Sequence, residues 1–193
     1  TVFLAGEFLK LNIDYSRFDK VLYSLPRGAV DVRLDQVGIF DLIESFRKST
    51  AFPPSNGDTR KAIAILAALR EIKQPDEMVL LRKAIDMSCE AHREMMRATK
   101  PGMSEFDVEA VGEYVFARGG AECVGYSSIC GGGENGVILH YSSNRKKLAE
   151  GDLILLDMGA EYHGYTADVT RTLPVSGKFT ETQKILYELV LKA

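Results

Sequence analysis

Leu153-Ile154-Leu155-Leu156-Asp157-Met158-Gly159-Ala160-Glu161-Tyr162-His163-Gly164-Tyr165-Thr166-Ala167-Asp168 is an apolar run ending in an acid, then a turn, then a second run ending in another acid. Leu153 to Leu156 has the continuous apolar character of a buried strand. An acid at the end of such a strand is costly to bury unless a cation, a proton or strong donors meet it. If Glu161 to Gly164 form a four-residue hairpin loop, Asp157 and Asp168 face each other across an antiparallel pair. Directly opposite residues have Cβ atoms about 4.5–5.5 Å apart. Two carboxylates that close repel, and one pKa rises unless a cation sits between them. A pair of divalent metals about 3.5–4 Å apart fits this spacing. Oxygen donors favour Mn²⁺ or Mg²⁺ over thiophilic metals. From spacing alone, two exposed strand-end acids, a loop-capping acid and a metal-free pair for glycoside hydrolysis stay open.

Working outward, Tyr165 to Leu173 alternates with Thr and Arg and reads as a further strand. Thr180 to Lys192 is an amphipathic helix, with Thr180 as its cap and Gln183 as the box partner. On the N-terminal side, Val137 to Tyr141 reads as a strand and Gly131-Gly132-Gly133-Glu134-Asn135-Gly136 as a loop, with Cys123 to Cys130 a strand before it. Arg145 to Asp152 is a polar connection with a solvated basic face. Pro75 with Asp76 and Glu77 suits a helix N-terminus. That helix is expected to run to about Ala98, with Met78, Leu81, Ala84, Ile85, Ser88 and Cys89 at helical spacing. His92 lies on it as an ordinary surface or core residue. Ser104, with Asp107 three places on, opens another helix that Gly119-Gly120 stops. Within the first seventy residues, Lys20 to Gly28 is a short β-like run. Leu34 to Lys48 is nearer helical than strand period, Pro53 to Asp58 is a loop, and Arg60 to Leu69 is again helical. The pattern is mixed α/β, with Lys73-Gln74-Pro75 marking a boundary.

Composition narrows the partners. The 193 residues carry 24 Lys+Arg against 27 Asp+Glu, a formal charge of −3, with 46% apolar and 26% charged residues. Mild acidity gives no electrostatic footprint for nucleic acid. No apolar run reaches about 18 residues, so no membrane span is expected. Cys89, Cys123 and Cys130 are odd in number and lack zinc spacing, which suits reduced thiols in a cytoplasmic protein.

Four segments in order carry a resemblance. They are Gly133-Glu134-Asn135-Gly136-Val137-Ile138-Leu139-His140-Tyr141, then Gly151-Asp152-Leu153 through Asp157-Met158-Gly159, then Gly164-Tyr165-Thr166-Ala167-Asp168-Val169-Thr170-Arg171-Thr172, then Pro174-Val175-Ser176-Gly177-Lys178-Phe179-Thr180. Together they resemble the Xaa-Pro aminopeptidases (aminopeptidase P) and the related prolidases, densely from about Ile72 to Ala193. The resemblance implies the pita-bread α/β metallopeptidase fold with two divalent metal ions, usually manganese. Asp157 would then chelate one metal, Asp168 would bridge both, and a metal-bridging hydroxide would attack the carbonyl before proline. His140 would line the pocket as a catalytic residue that hydrogen-bonds a proline-containing peptide near the scissile bond. The family's further ligands, one His and two Glu, lie downstream of the motifs present here.

On this basis residues 1–71 are expected to be the C-terminal part of an α/β N-terminal domain. Residues 72–193 would be the first half of the pita-bread catalytic domain, an incomplete site when taken alone. Relatives are often homo-oligomers, and no interface is legible in the sequence. The expected function is a metal-dependent aminopeptidase that releases the residue preceding proline. The alternatives are a prolidase acting on Xaa-Pro dipeptides and a pita-bread binding module without catalysis. The methionine aminopeptidase branch has similar acid spacing, but the Glu-Asn-Gly loop and the Pro-Val-x-Gly-Lys-Phe segment point away from it.

Overall fold

A computed structural model of the chain describes residues 21–22 and 57–193. They fall into two units, Thr1–Lys73 and Gln74–Ala193. In the first unit β1 (Val21–Leu22) pairs in parallel with β2 (Gly57–Asp58), and α1 (Thr59–Glu71) follows directly. The helix expected over Arg60 to Leu69 is present. Gly57 and Asp58, expected in a loop, form the second strand. The expectations for Leu34 to Lys48 and for most of Lys20 to Gly28 lie outside the described residues.

The second unit opens with α2 (Pro75–Ala98). Pro75 occupies the first turn, where its missing N–H costs nothing, and the Gln74 amide donates to Glu77 Oε2 at 2.6 Å. The buried stripe is Ala84, Met87, Ser88, Ala91, His92 and Met95, a core-facing helix period. It lies slightly round the helix from the expected set: Ile85 is exposed and Cys89 half-buried. α3 (Glu105–Gly119) is capped as its sequence predicts. Ser104 Oγ accepts from the Asp107 amide at 3.1 Å while Asp107 Oδ2 accepts from the Ser104 amide at 2.7 Å. The helix ends at Gly120, whose φ of +90° is a left-handed cap that glycine adopts without strain. Gly112 lets α3 approach Met95 and Met158, and Gly119 lies beside Met87, so α2 and α3 run antiparallel.

Two antiparallel sheets follow. One has the order β4 (Ile129–Gly132), β5 (Leu153–Met158), β8 (Val169–Pro174), and the other has β3 (Cys123–Val124), β6 (Ala160–Tyr162), β7 (Tyr165–Thr166). β5 alternates strictly: Ile154, Leu156 and Met158 are buried against the helices, while Leu153, Leu155 and Asp157 look the other way, half-buried. The core gathers Met87, Met95, Val108, Phe116, Leu148 and Leu173 with these strand residues. α4 (Glu181–Lys192) closes the order, with Thr180 Oγ1 accepting from the Gln183 amide at 3.3 Å.

Three sequence expectations are corrected here. Cys123 to Cys130 is not one strand: its ends belong to different sheets. Gly131 and Gly132 are in β4, and Gly133–Val137 is a 3-10 turn. Val137 to Tyr141 is not a strand either. Its apolar run suggested burial, yet Val137 is 86% and Leu139 90% exposed, and His140 takes a left-handed φ of +53° that no strand accommodates. Among the described residues no helix is long and apolar enough to cross a membrane.

Candidate metal centre

β5, β6, β7 and β8 form one hairpin whose arms keep a single register across both sheets. Leu153 pairs with Pro174, Asp157 with Thr170, and Tyr162 with Tyr165. Between the sheets the Ala167 amide donates to the Ala160 carbonyl at 3.1 Å. The tip is therefore a two-residue turn, His163-Gly164, with φ of +50° and +81°, the left-handed pair typical of tight hairpins. This corrects the four-residue loop: Asp157 faces Thr170, and Asp168 stands diagonally, two residues away. A shift of two residues leaves the face unchanged, because side chains alternate with period two. Asp157 and Asp168 thus remain on one side of the hairpin.

What brings them together is Tyr126. Its hydroxyl lies 2.5 Å from Asp157 Oδ1 and 3.2 Å from Asp168 Oδ1. One phenolic proton serves two carboxylates. Burial pushes the Tyr126 pKa far above its ordinary value, and the hydrogen bond and charge of Asp157, then Asp168, add to it. The phenol is therefore held protonated in a pocket of negative potential. Gly159 makes the junction possible: a Cβ there would fall 1.7 Å from the Ala167 carbonyl oxygen. Only a glycine lets the two arms close up beside both acids.

A cavity of about 420 Å³ opens over this group, lined by Tyr126, Ser127, Ile129, His140, Ser142, Asp157 and Asp168. A neighbouring cavity of about 320 Å³ shares Ile129, His140 and Asp157 and adds the exposed Val137-Ile138-Leu139 segment. The roomier cavity, about 650 Å³, lies between β5, β8 and α4. Its walls are mainly apolar and include no carboxylate, so the chemistry belongs to the smaller one. The structure thus brings Asp157, Asp168 and His140 to one cavity, as a strand end, a strand junction and an exposed loop.

The donor set suits a hard divalent cation: two carboxylates converge on one phenol, and like charges that close call for a counter-charge. Among the described residues no third His, Cys, Asp or Glu joins them at one point. Behind the strands, His92 is 3% exposed, and neither ring nitrogen has a hydrogen-bond partner. Burial lowers its pKa, partly offset by the nearby Met158 and Val169 backbone. It is a neutral core histidine.

Sequence reasoning missed two residues here. Tyr126 sits in a stretch read as plain strand, and nothing local distinguishes its ring from any other. Glu105 looks like an ordinary acid in a first helical turn, but it is fully buried and binds the loop that bears His140.

Comparison with known proteins agrees with the motifs. The profile of metallopeptidase family M24 matches residues 79–193. The Xaa-Pro aminopeptidase of Escherichia coli is 36% identical over 95% of this chain and 44% of its own length. The human Xaa-Pro dipeptidase is 43% identical over 64% of this chain and 26% of its own. Among solved structures, proline aminopeptidase P II from Yersinia pestis superposes with a TM-score of 0.73 at 35% identity, covering 91% of this chain and 40% of that one. A variant of Escherichia coli aminopeptidase P in complex with substrate gives 0.73 at 32% identity, covering 97% and 41%. The mixed helix–sheet fold is thus part of the pita-bread fold, and the chain spans less than half the length of these relatives. With that profile covering more than half of its residues, this chain belongs to metallopeptidase family M24.

Proposed function

We propose that the full-length protein is a metal-dependent aminopeptidase that releases the N-terminal residue from peptides with proline second. The observation that carries this is the convergence of Asp157 and Asp168 on the Tyr126 hydroxyl, in a cavity that His140 also lines. Asp157 and Asp168 would hold two divalent ions, manganese by the family resemblance and in keeping with their hard oxygen donors, with Asp168 shared between them. The remaining ligands would come from outside residues 1–193. When bound, the metal supplies Lewis acidity toward the scissile carbonyl and activates the attacking water. The chain's own residues do the rest. Asp157 and Asp168 set the charge and its position from rigid strands, Tyr126 keeps its proton and orients both carboxylates, and His140 offers hydrogen bonds to the peptide beside the scissile bond.

Residues 1–71 would close an N-terminal domain and 72–193 open the catalytic one; the division at Lys73 and Gln74 supports this. Cys89, Cys123 and Cys130 are free thiols, which fits a reducing, cytoplasmic setting. The aminopeptidase reading draws support from the reach of the match, 95% of this chain against 64% for the human dipeptidase. The test is hydrolysis of an Xaa-Pro-Xaa tripeptide and an Xaa-Pro dipeptide by the full-length, manganese-loaded protein, with Asp157→Ala alongside. Tripeptide cleavage lost together with metal in Asp157→Ala is the expected result. Dipeptide cleavage alone would make it a prolidase. Metal content unchanged by Asp157→Ala would remove the site, and hydrolysis of neither peptide would leave a binding module.

A further inference from the structure

Glu105 is the first residue of α3 and none of its surface reaches solvent. Among the described residues no Lys or Arg forms an ion pair with it. Its charge is met by hydrogen bonds alone, two on each oxygen. Oε1 accepts from the Gly132 amide at 2.7 Å and Asn135 Nδ2 at 2.9 Å. Oε2 accepts from the Tyr141 hydroxyl at 2.7 Å and the Lys146 amide at 2.9 Å. Burial alone would raise its pKa, but the bonds from Asn135, Gly132, Tyr141 and Lys146 outweigh it and hold the pKa below the usual value. The backbone is fixed to the same place, since the Glu105 amide donates to the Lys146 carbonyl at 2.9 Å.

These partners are not scattered. Gly132 ends β4, Asn135 and Tyr141 bracket His140, and Lys146 ends the loop that carries it. Asn135 Nδ2 also lies 2.9 Å from the Tyr141 hydroxyl, so the two flanks of His140 are joined to each other as well as to Glu105. Between Asn135 and Tyr141 the backbone turns through His140 at φ +53°, and between Tyr141 and Lys146 through Asn144 at φ +47°, a region uncommon for residues other than glycine. His140 itself is exposed, so packing does not hold it in place. Its position comes from the anchored flanks.

We infer that Glu105 is a positioning residue for the peptidase site: its buried carboxylate, through Asn135 and Tyr141, holds the loop that presents His140 to the peptide over Asp157 and Asp168. The inference rests on the proposed peptidase reading for its kinetic consequence and on geometry alone for the anchoring. A carboxylate suits the place because all four partners donate. A glutamine would turn its NH₂ toward two of them and leave the amide of Gly132 or Lys146 facing a donor.

The test uses the full-length protein as wild type, Glu105→Gln, Tyr141→Phe, His140→Ala and the Glu105→Gln/His140→Ala double variant. Amide hydrogen exchange comes first, because it does not depend on the peptidase reading. Glu105→Gln is expected to speed exchange about tenfold or more at Gly132, Ile138 and Lys146, the hydrogen-bonded amides of this loop, while α2 and β5 keep wild-type protection. Unchanged exchange in the loop, or loss spread evenly over the chain, overturns the inference. Hydrolysis of an Xaa-Pro-Xaa tripeptide comes second. Glu105→Gln is expected to lower kcat about 10- to 100-fold with unchanged manganese content and a KM within about threefold, as a misplaced catalytic group would. The double variant is expected to be no slower than His140→Ala, because a residue that acts through His140 has nothing left to lose. Losses that multiply in the double variant overturn it. Tyr141→Phe removes one of the four donors and is expected to give the same pattern at about two- to tenfold, which decides the matter if Glu105→Gln does not fold. If wild type cleaves no Xaa-Pro peptide, the peptidase reading fails and the exchange result alone judges the anchoring.

Discussion

At the scale of single residues, the site depends on side chains whose neighbours are far away in sequence. Tyr126 meets Asp157 and Asp168 across separations of 31 and 42 residues. Removing only its hydroxyl, in Tyr126→Phe, should leave the fold intact and weaken manganese binding by the full-length protein about tenfold, as loss of an outer hydrogen bond to a ligand does. Titration of the metal-free protein with Mn²⁺ checks it. Gly159 makes a different kind of demand. In Gly159→Ala the new methyl would enter the Ala167 carbonyl, and one hairpin arm would have to move. A loss of about 2–3 kcal/mol is expected, read as a lower urea midpoint at unchanged slope. The two acids were legible because a carboxylate ending an apolar strand is conspicuous in any sequence. Tyr126 and Glu105 were not, because half-buried tyrosines and first-turn glutamates are common and their roles come from long-range contacts.

At the scale of elements, local chemistry read well and exposure read badly. The starts of α2, α3 and α4 follow from caps within four residues of each other, and the ends of α2 and α3 from the Lys-Pro-Gly and Gly-Gly breaks. The two-residue hairpin tip is hidden in the sequence because His163 signals a positive φ less strongly than Asn or Gly does. The exposure of Val137 to Leu139 is hidden because three apolar residues in a row look the same whether buried or not. The α3 clamp has a pH signature. Hydrogen bonds depress the folded pKa of Glu105 below its ordinary 4.5. Its stabilisation is therefore fully present above about that pH and is lost as pH falls through the folded value. Wild type should exceed Glu105→Gln in stability at neutral pH, and the gap should narrow steadily below about pH 4.5. Urea unfolding of the two proteins across pH 3–7 measures it.

At the scale of the whole molecule, the described surface is uneven. α4 has no buried residue, and Leu186, Leu189, Val190 and Leu191 are 59%, 59%, 77% and 75% exposed beside the apolar cavity on β5 and β8. Patches of this kind do not stay bare in water at high concentration. Residues 1–193 expressed alone should self-associate as concentration rises, and Leu186→Lys with Val190→Lys should shift the species toward monomer in sedimentation. The family match itself runs on through this helix, to residue 193.

The uninterrupted register of that hairpin says where its length can vary. A single residue inserted in either arm, between Asp157 and Tyr162 or between Tyr165 and Asp168, would turn one carboxylate through to the opposite face. The solvent-exposed tip at His163-Gly164 is free of that rule, since residues added there project beyond the last pair without re-pairing the arms. An epitope or a fluorescent tag grafted at the tip would therefore report on this protein in solution while leaving both acids where they stand.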